Sequence, residues 1–156
     1  MSAAARLAAL GITLPKPAAP VANYVAAVRT GNLLIVSGQL PYGADGKLAP
    51  VQTGKLGPDS KVEPAREAAR LAAINVLAQA QAALGDLDRV ARVVRLGGFF
   101  AVAGRCDFLP QAMNGASDLV AEVFGDKGRH ARTTVGVAHL PLDATAELEA
   151  IFEISA

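Results

Sequence analysis

The chain has 156 residues, 52% of them hydrophobic, the size and apolar content of a single domain around one substantial core. Fifteen Lys and Arg residues stand against fourteen Asp and Glu, so no broad field gathers a polyanion, and non-specific nucleic-acid binding is disfavoured. Cys106 is the lone cysteine and the two histidines are scattered, which excludes an internal disulfide, offers no metal-ligand spacing and favours a reducing, cytoplasmic setting.

Residues 2–10 read as a short amphipathic helix ended by Gly11. Its apolar run is interrupted by Arg6 and is too short for a membrane span, so no membrane partner is expected. Pro15, Pro17 and Pro20 in LPKPAAPVAN forbid regular helix and predict an extended connector. Residues 1–20 thus form an N-terminal extension to a core over 21–156. Two runs rich in Val, Leu and Ile, 24–29 and 33–38, flank Thr30, Gly31 and Asn32 and predict a hairpin. Residues 41–60 are dense in Gly and Pro and predict surface loop, with a short strand near Val51 and Gln52.

From Val62 the composition shifts to strong helix formers, with Leu71, Ile74, Ala78, Gln81 and Leu84 on one face at spacings of three and four, and Gly85 as the stop. Residues 89–102 are β-branched and aromatic and predict a strand, with Gly97 and Gly98 placed for a bulge or a close approach. A second helix follows over 109–124, with 125–128 as its exit. Strands over 132–138 and 145–154 close the chain around a Pro141-Leu142-Asp143 turn. The order is that of an α+β fold in which two helices, each with one apolar stripe, cover one face of a mixed sheet and leave the other bare.

Alternation in the last two strands then sorts the charges. It sets Arg132, Thr134, Gly136 and Ala138 against Thr133, Val135, Val137 and His139, of which the second set suits the helix layer. In the final strand Ala146, Leu148, Ala150 and Phe152 oppose Glu147, Glu149, Ile151 and Glu153. On this reading Arg132 and the glutamates share the uncovered face. The small neighbours Thr134 and Gly136 would leave a recess beside a guanidinium suited to a carboxylate. A solvated strand end, or a salt bridge to Glu147, explains the same arginine, and spacing does not choose between them.

The segment ARTTVGVAHLPLDATAELEAIFEI resembles the closing signature of the Rid family, also called YjgF, of enamine and imine deaminases. NYVAAVRTGNLLIVSGQLP is similar to that family's Tyr-containing strand and Ser-Gly-Gln-Pro-type turn. The resemblance covers roughly residues 22–155. It implies a chorismate-mutase-like fold, a homotrimer whose sheets form a central barrel, and active sites between subunits, so that the bare face becomes the subunit contact. It further implies hydrolysis of 2-imino acids, formed from enamines such as 2-aminoacrylate, to 2-keto acids and ammonia, with no metal or organic cofactor.

Position by position, the resemblance makes Arg132 the clamp for the substrate carboxylate and Glu147 the residue that positions the hydrolytic water. Tyr24, Ser37, Gly38 and Asn114 line the pocket. Thr134 stands where many members carry a cysteine and Gly136 replaces a common acidic residue. The N-terminal helix and the 41–60 loop are longer than in compact members, which points to a different substrate. A trimeric carboxylate-binding protein without turnover is the alternative. An endoribonuclease is a weaker one, since Arg89, Arg92 and Arg95 lack interleaved aromatics and read as a solvated edge or subunit contact.

Three other features carry no expected role. His130 reads as a solvent-exposed loop end, His139 as a strand cap and Cys106 as an incidental thiol. The GADGK sequence at 43–47 lacks phosphate-loop spacing and reads as a turn.

Overall fold

The computed structural model describes residues 1–155. Helix α1 (Ala3–Ala9) starts where the Ser2 hydroxyl accepts the Ala5 N–H at 3.1 Å, and it ends just before Gly11. The chain then continues without regular structure to strands β1 (Ala27–Thr30) and β2 (Leu33–Gln39), the expected hairpin shifted slightly towards its turn. Tyr24 and Val25 therefore lie before β1. The strand expected near Val51 is absent: Pro50–Gln52 forms a turn of 3-10 helix, because Pro50 fixes its own φ and donates no ladder hydrogen bond. Thr53, next to it, makes an isolated bridge to Ala144.

Helix α2 (Val62–Leu84) and helix α3 (Leu109–Phe124) have the predicted extents. The buried face of α2 keeps only part of the expected stripe. Ala78 and Leu84 are buried as expected, but most of the face is Ala65, Ala68, Ala69, Ala72, Ala73, Val76, Leu77 and Ala80, whereas Gln81 is half-buried, as are Leu71 and Ile74 beside residues 10–15 of the extension. Alanines win that face because α3 comes close. A Cβ on Gly115 of α3 would strike the Arg66 carbonyl of α2, so small residues on both sides set the helix spacing.

Strands β3 (Val90–Ala101), β4 (Ala131–Val137) and β5 (Ala146–Ile154) complete one five-stranded sheet in the order β1-β2-β5-β3-β4. Pairing is antiparallel except between β3 and β4, so the sheet is mixed as expected. Register shifts fall over residues 90–95 of β3, upstream of the predicted glycines. Gly97 and Gly98 instead leave room for the side chains of Glu149 and Met113.

Helix α2 packs on β2 and β5, and α3 on β3 and β4, both on the same face. Phe100, Phe152, Leu34, Leu96 and Leu148 are fully buried beneath them, each side chain contributing about 1.5–3 kcal/mol of burial. The opposite face exposes Val28, Ile35 and Val135. Helix α1 lies against α3, with Arg6 donating to the Glu122 carbonyl at 3.2 Å and the Ala3 N–H donating to Asp88 at 2.7 Å. Among the described residues no helix is long and apolar enough to cross a membrane.

Candidate active site

Pairing through the sheet decides which side chains can meet, and it corrects one expectation. Residues opposite one another in a ladder share a face. Arg132 is paired with Leu96, itself paired with Ala150, and Thr134 with Gly98, itself paired with Leu148. Those partners belong to the core, so Arg132 and Thr134 face the helix layer. Glu147 is paired with Phe99, itself paired with Val135, and Glu149 with Gly97, itself paired with Thr133, on the bare face. Arg132 and Glu147 thus lie on opposite faces of the sheet, and no salt bridge joins them.

Arg132 projects from the edge strand β4 beneath α3. Its Nη1 donates to Asn114 Oδ1 at 2.8 Å and to Ser117 Oγ at 3.0 Å, and its Nη2 donates to the Pro110 carbonyl at 3.0 Å. Asn114 and Ser117 are three apart on α3, which puts both on one helix face. The remaining Nε–H and one Nη2–H have no partner among the described residues. Thr134, two residues along β4, has its hydroxyl oxygen buried without a partner. The recess expected beside Gly136 is filled, since a Cβ there would meet Val102 at 2.8 Å and Leu109 at 3.5 Å.

Glu147 lines a cavity of about 290 Å³ with Gly38, Tyr24, Tyr42 and Leu142, walled on one side by residues 18–21. Burial, and then the neighbouring Glu149, hold the Glu147 carboxyl above the usual carboxylate range. Burial likewise raises the Tyr42 phenol, with Tyr24 and Glu147 adding to the effect. Gly38 is required by contact: a Cβ there would occupy the position of the Glu147 carboxyl group. Ser37 does not line this cavity, and its hydroxyl donates to the Val25 carbonyl at 2.8 Å, fastening the chain just before β1.

A polar seam from α2 holds the cavity walls. Gln79 Nε2 donates to the Ala18 carbonyl at 2.7 Å and to Gln39 Oε1 at 3.2 Å, and Gln39 Nε2 donates to the Ser37 and Gly38 carbonyls, both at 3.1 Å. Asn75 Nδ2 reaches the Tyr42 carbonyl at 2.9 Å. Gln39, Asn75 and Gln79 are all buried. Tyr42, the 18–21 segment and this seam escaped the sequence reading. The available signal was a pair of carboxamides four residues apart in an alanine-rich helix, where a buried amide needs a partner.

Of the remaining candidates, Arg95 pairs with Glu149 at 3.0 Å and donates to Thr133 Oγ1 at 3.2 Å, while Arg89 caps α2 through the Leu84 carbonyl at 3.1 Å. Together with exposed Arg92 they form no continuous cationic stripe. His139 is exposed. His130, expected in solvent, is half-buried and hydrogen-bonded through both ring nitrogens, because β4 tucks its start against α3. Burial and then Asp107 raise the Cys106 thiol, the opposite of activation. GADGK is a turn closed by Gly43 N–H donating to the Lys47 carbonyl at 2.9 Å.

Residues 4–153 match the family described as YjgF/chorismate mutase-like, putative endoribonuclease. Protein TCP17 of Trypanosoma cruzi is 50% identical over 155 residues, 97% of this chain and 94% of that one. Among solved structures, Atu1372 of Agrobacterium tumefaciens, of unknown function, is 48% identical with a TM-score of 0.89, covering 98% of this chain and 92% of its own. A putative endoribonuclease of Shewanella oneidensis is 38% identical with a TM-score of 0.93, covering 99% and 100%.

Proposed function

Because the chain belongs to the YjgF/chorismate mutase-like family, we propose that it is a hydrolytic deaminase of reactive 2-imino acids, releasing 2-keto acids and ammonia from a homotrimer with sites between subunits. One observation carries this reading. The cation and the carboxylate that the chemistry needs stand on opposite faces of the same sheet, so a complete site takes Arg132 from one protomer and Glu147 from another.

In that site the unpaired Nε–H and Nη2–H of Arg132 grip the substrate carboxylate. Asn114, Ser117 and the Pro110 carbonyl hold the plane of the guanidinium. Anchoring the acid end places the imine carbon over the cavity, which converts a loose encounter into a positioned one. The Glu147 carboxylate, made a stronger base by its burial, orients the attacking water and takes its proton. The water oxygen adds to the imine carbon, the nitrogen accepts protons, and ammonia leaves as the keto group forms. Imines hydrolyse unaided, so positioning and charge stabilisation suffice for a useful acceleration. Cytoplasmic function fits such short-lived metabolites.

Complementation tests the reading. Arg132→Ala and Glu147→Gln chains, each inactive alone on freshly generated 2-aminoacrylate, should recover about a quarter of wild-type ammonia release when co-assembled at equal amounts, since a random mixture pairs the two intact halves with that frequency. No recovery in verified mixed trimers would overturn the shared site. Saturable keto-acid binding with no turnover would favour a carboxylate-binding protein, for which the unpartnered Thr134 in place of the family's cysteine is the specific argument.

A further inference from the structure

Behind Arg132 and Ser117 runs a hydrogen-bond chain whose far members, His130 and Gly128, the proposed chemistry does not use. His130 Nδ1 lies 2.6 Å from the Gly128 carbonyl oxygen, and its Nε2 lies 2.9 Å from Ser117 Oγ. Ser117 Oγ in turn accepts from Arg132 Nη1 at 3.0 Å.

The chemistry of each group fixes the direction of the chain. A carbonyl oxygen can only accept, so Nδ1 carries the ring hydrogen. In the neutral ring Nε2 then presents a lone pair, and the Ser117 hydroxyl must donate to it. With its hydrogen committed, Ser117 offers Arg132 lone pairs alone. The anchor of this chain is rigid, because Gly128 is buried against α3 so closely that a Cβ would strike the Val120 carbonyl. Without the histidine, the serine hydroxyl is free to turn to the carbonyl one helical turn back, a common alternative for serine in a helix, and its lone pairs leave the guanidinium.

We propose that His130 and Ser117 are positioning residues that set the plane of Arg132 for its anionic substrate, His130 acting by locking Ser117 as an acceptor. The inference rests on Arg132 as the carboxylate clamp. Asn114 holds the second Nη1 hydrogen, so the two α3 residues and the histidine together leave the guanidinium one orientation. That orientation keeps the Nε–H and the second Nη2–H pointed away from the protomer's own acceptors.

Two measurements on the full-length protein decide it. Nitrogen-15 NMR of the His130 ring should show hydrogen on Nδ1 and none on Nε2, the reverse of the tautomer that a free neutral histidine side chain prefers, and Ser117→Ala should relax this bias. A ring protonated on Nε2 overturns the proposal whatever the enzyme does. In steady-state kinetics with a 2-imino acid, His130→Ala and Ser117→Ala should raise KM about tenfold with kcat within about twofold, the signature of lost ground-state and transition-state binding together. His130→Gln, whose carboxamide oxygen can accept from Ser117, should return KM to within about threefold of wild type. If the Ala and Gln variants behave alike, or if kcat and melting temperature fall together in both, the positioning role is wrong. Unchanged kinetics in Arg132→Ala would defeat the clamp itself, while the NMR result would still stand or fall on its own.

Discussion

The two halves of the candidate site are built on opposite physical principles. Around Arg132 the surface is open and the guanidinium donates its hydrogen bonds to three acceptors of α3. Around Glu147 the surface is enclosed, mostly apolar, and made of two phenols, a glycine and the 18–21 segment. A guanidinium stays charged in any setting and needs only to be aimed, so fixed acceptors serve it best. A carboxylate in water is a weak base, and withdrawal from water is what strengthens it. The contrast teaches that one chain can prepare both groups only by keeping them apart, since contact between them would occupy the donors of the first and lower the pKa of the second.

The largest test of that division is Arg132→Ala, which should lower kcat/KM for a 2-imino acid at least about a hundredfold while the assembly state and circular dichroism stay unchanged. An equal loss in fold would show that the arginine is structural. Gly38→Ala attacks the other half without touching a charge. The added methyl claims the space of the Glu147 carboxyl, and a drop in kcat of about tenfold or more is expected, because a displacement near 1 Å is enough to misplace a water.

Smaller still is Gln79→Ala, which strips the partners from the Ala18 carbonyl and Gln39 and should cost about 1–3 kcal/mol in chemical denaturation. It should raise KM more for substrates with long apolar side chains than for the shortest one. The subtlest is Glu147→Gln read as stability against pH. With the folded carboxyl raised, the native state holds its proton above the ordinary carboxylate range, so wild-type stability falls as pH rises through the raised value. Glutamine is neutral at every pH, and the variant should melt higher than wild type at neutral pH, with the difference vanishing once the wild-type carboxyl is protonated in both states. A lower melting temperature at neutral pH would mean that the carboxylate is held by favourable contacts instead.

The sequence carried most of the architecture. Alternation in AELEAIFEI assigned both faces of β5 correctly, with Leu148 and Phe152 buried and the glutamates half-exposed. Helix α3 began and ended where its composition predicted. These succeed because periodicity and stop signals are local properties of the chain. The same alternation separated Arg132 and Thr134 from Thr133 and Val135, yet assigned the two sets to the wrong faces. A period of two divides residues into sets without saying which set looks at the helices. That choice belongs to the pairing register.

The amino-acid sequence by itself settled the two long helices, the five strands, their order and the α+β class, and it nominated Arg132 and Glu147 as candidates. The tertiary structure decided that these two groups turn their backs on each other. It also decided that residues 18–21 and Tyr42 join Tyr24 and Gly38 in enclosing the glutamate, and that a histidine read as solvent-exposed lies bonded behind the arginine. Local chemistry is written in neighbours along the chain, whereas facing, enclosure and hydrogen-bond direction depend on partners as distant in sequence as Gln79 is from Ala18.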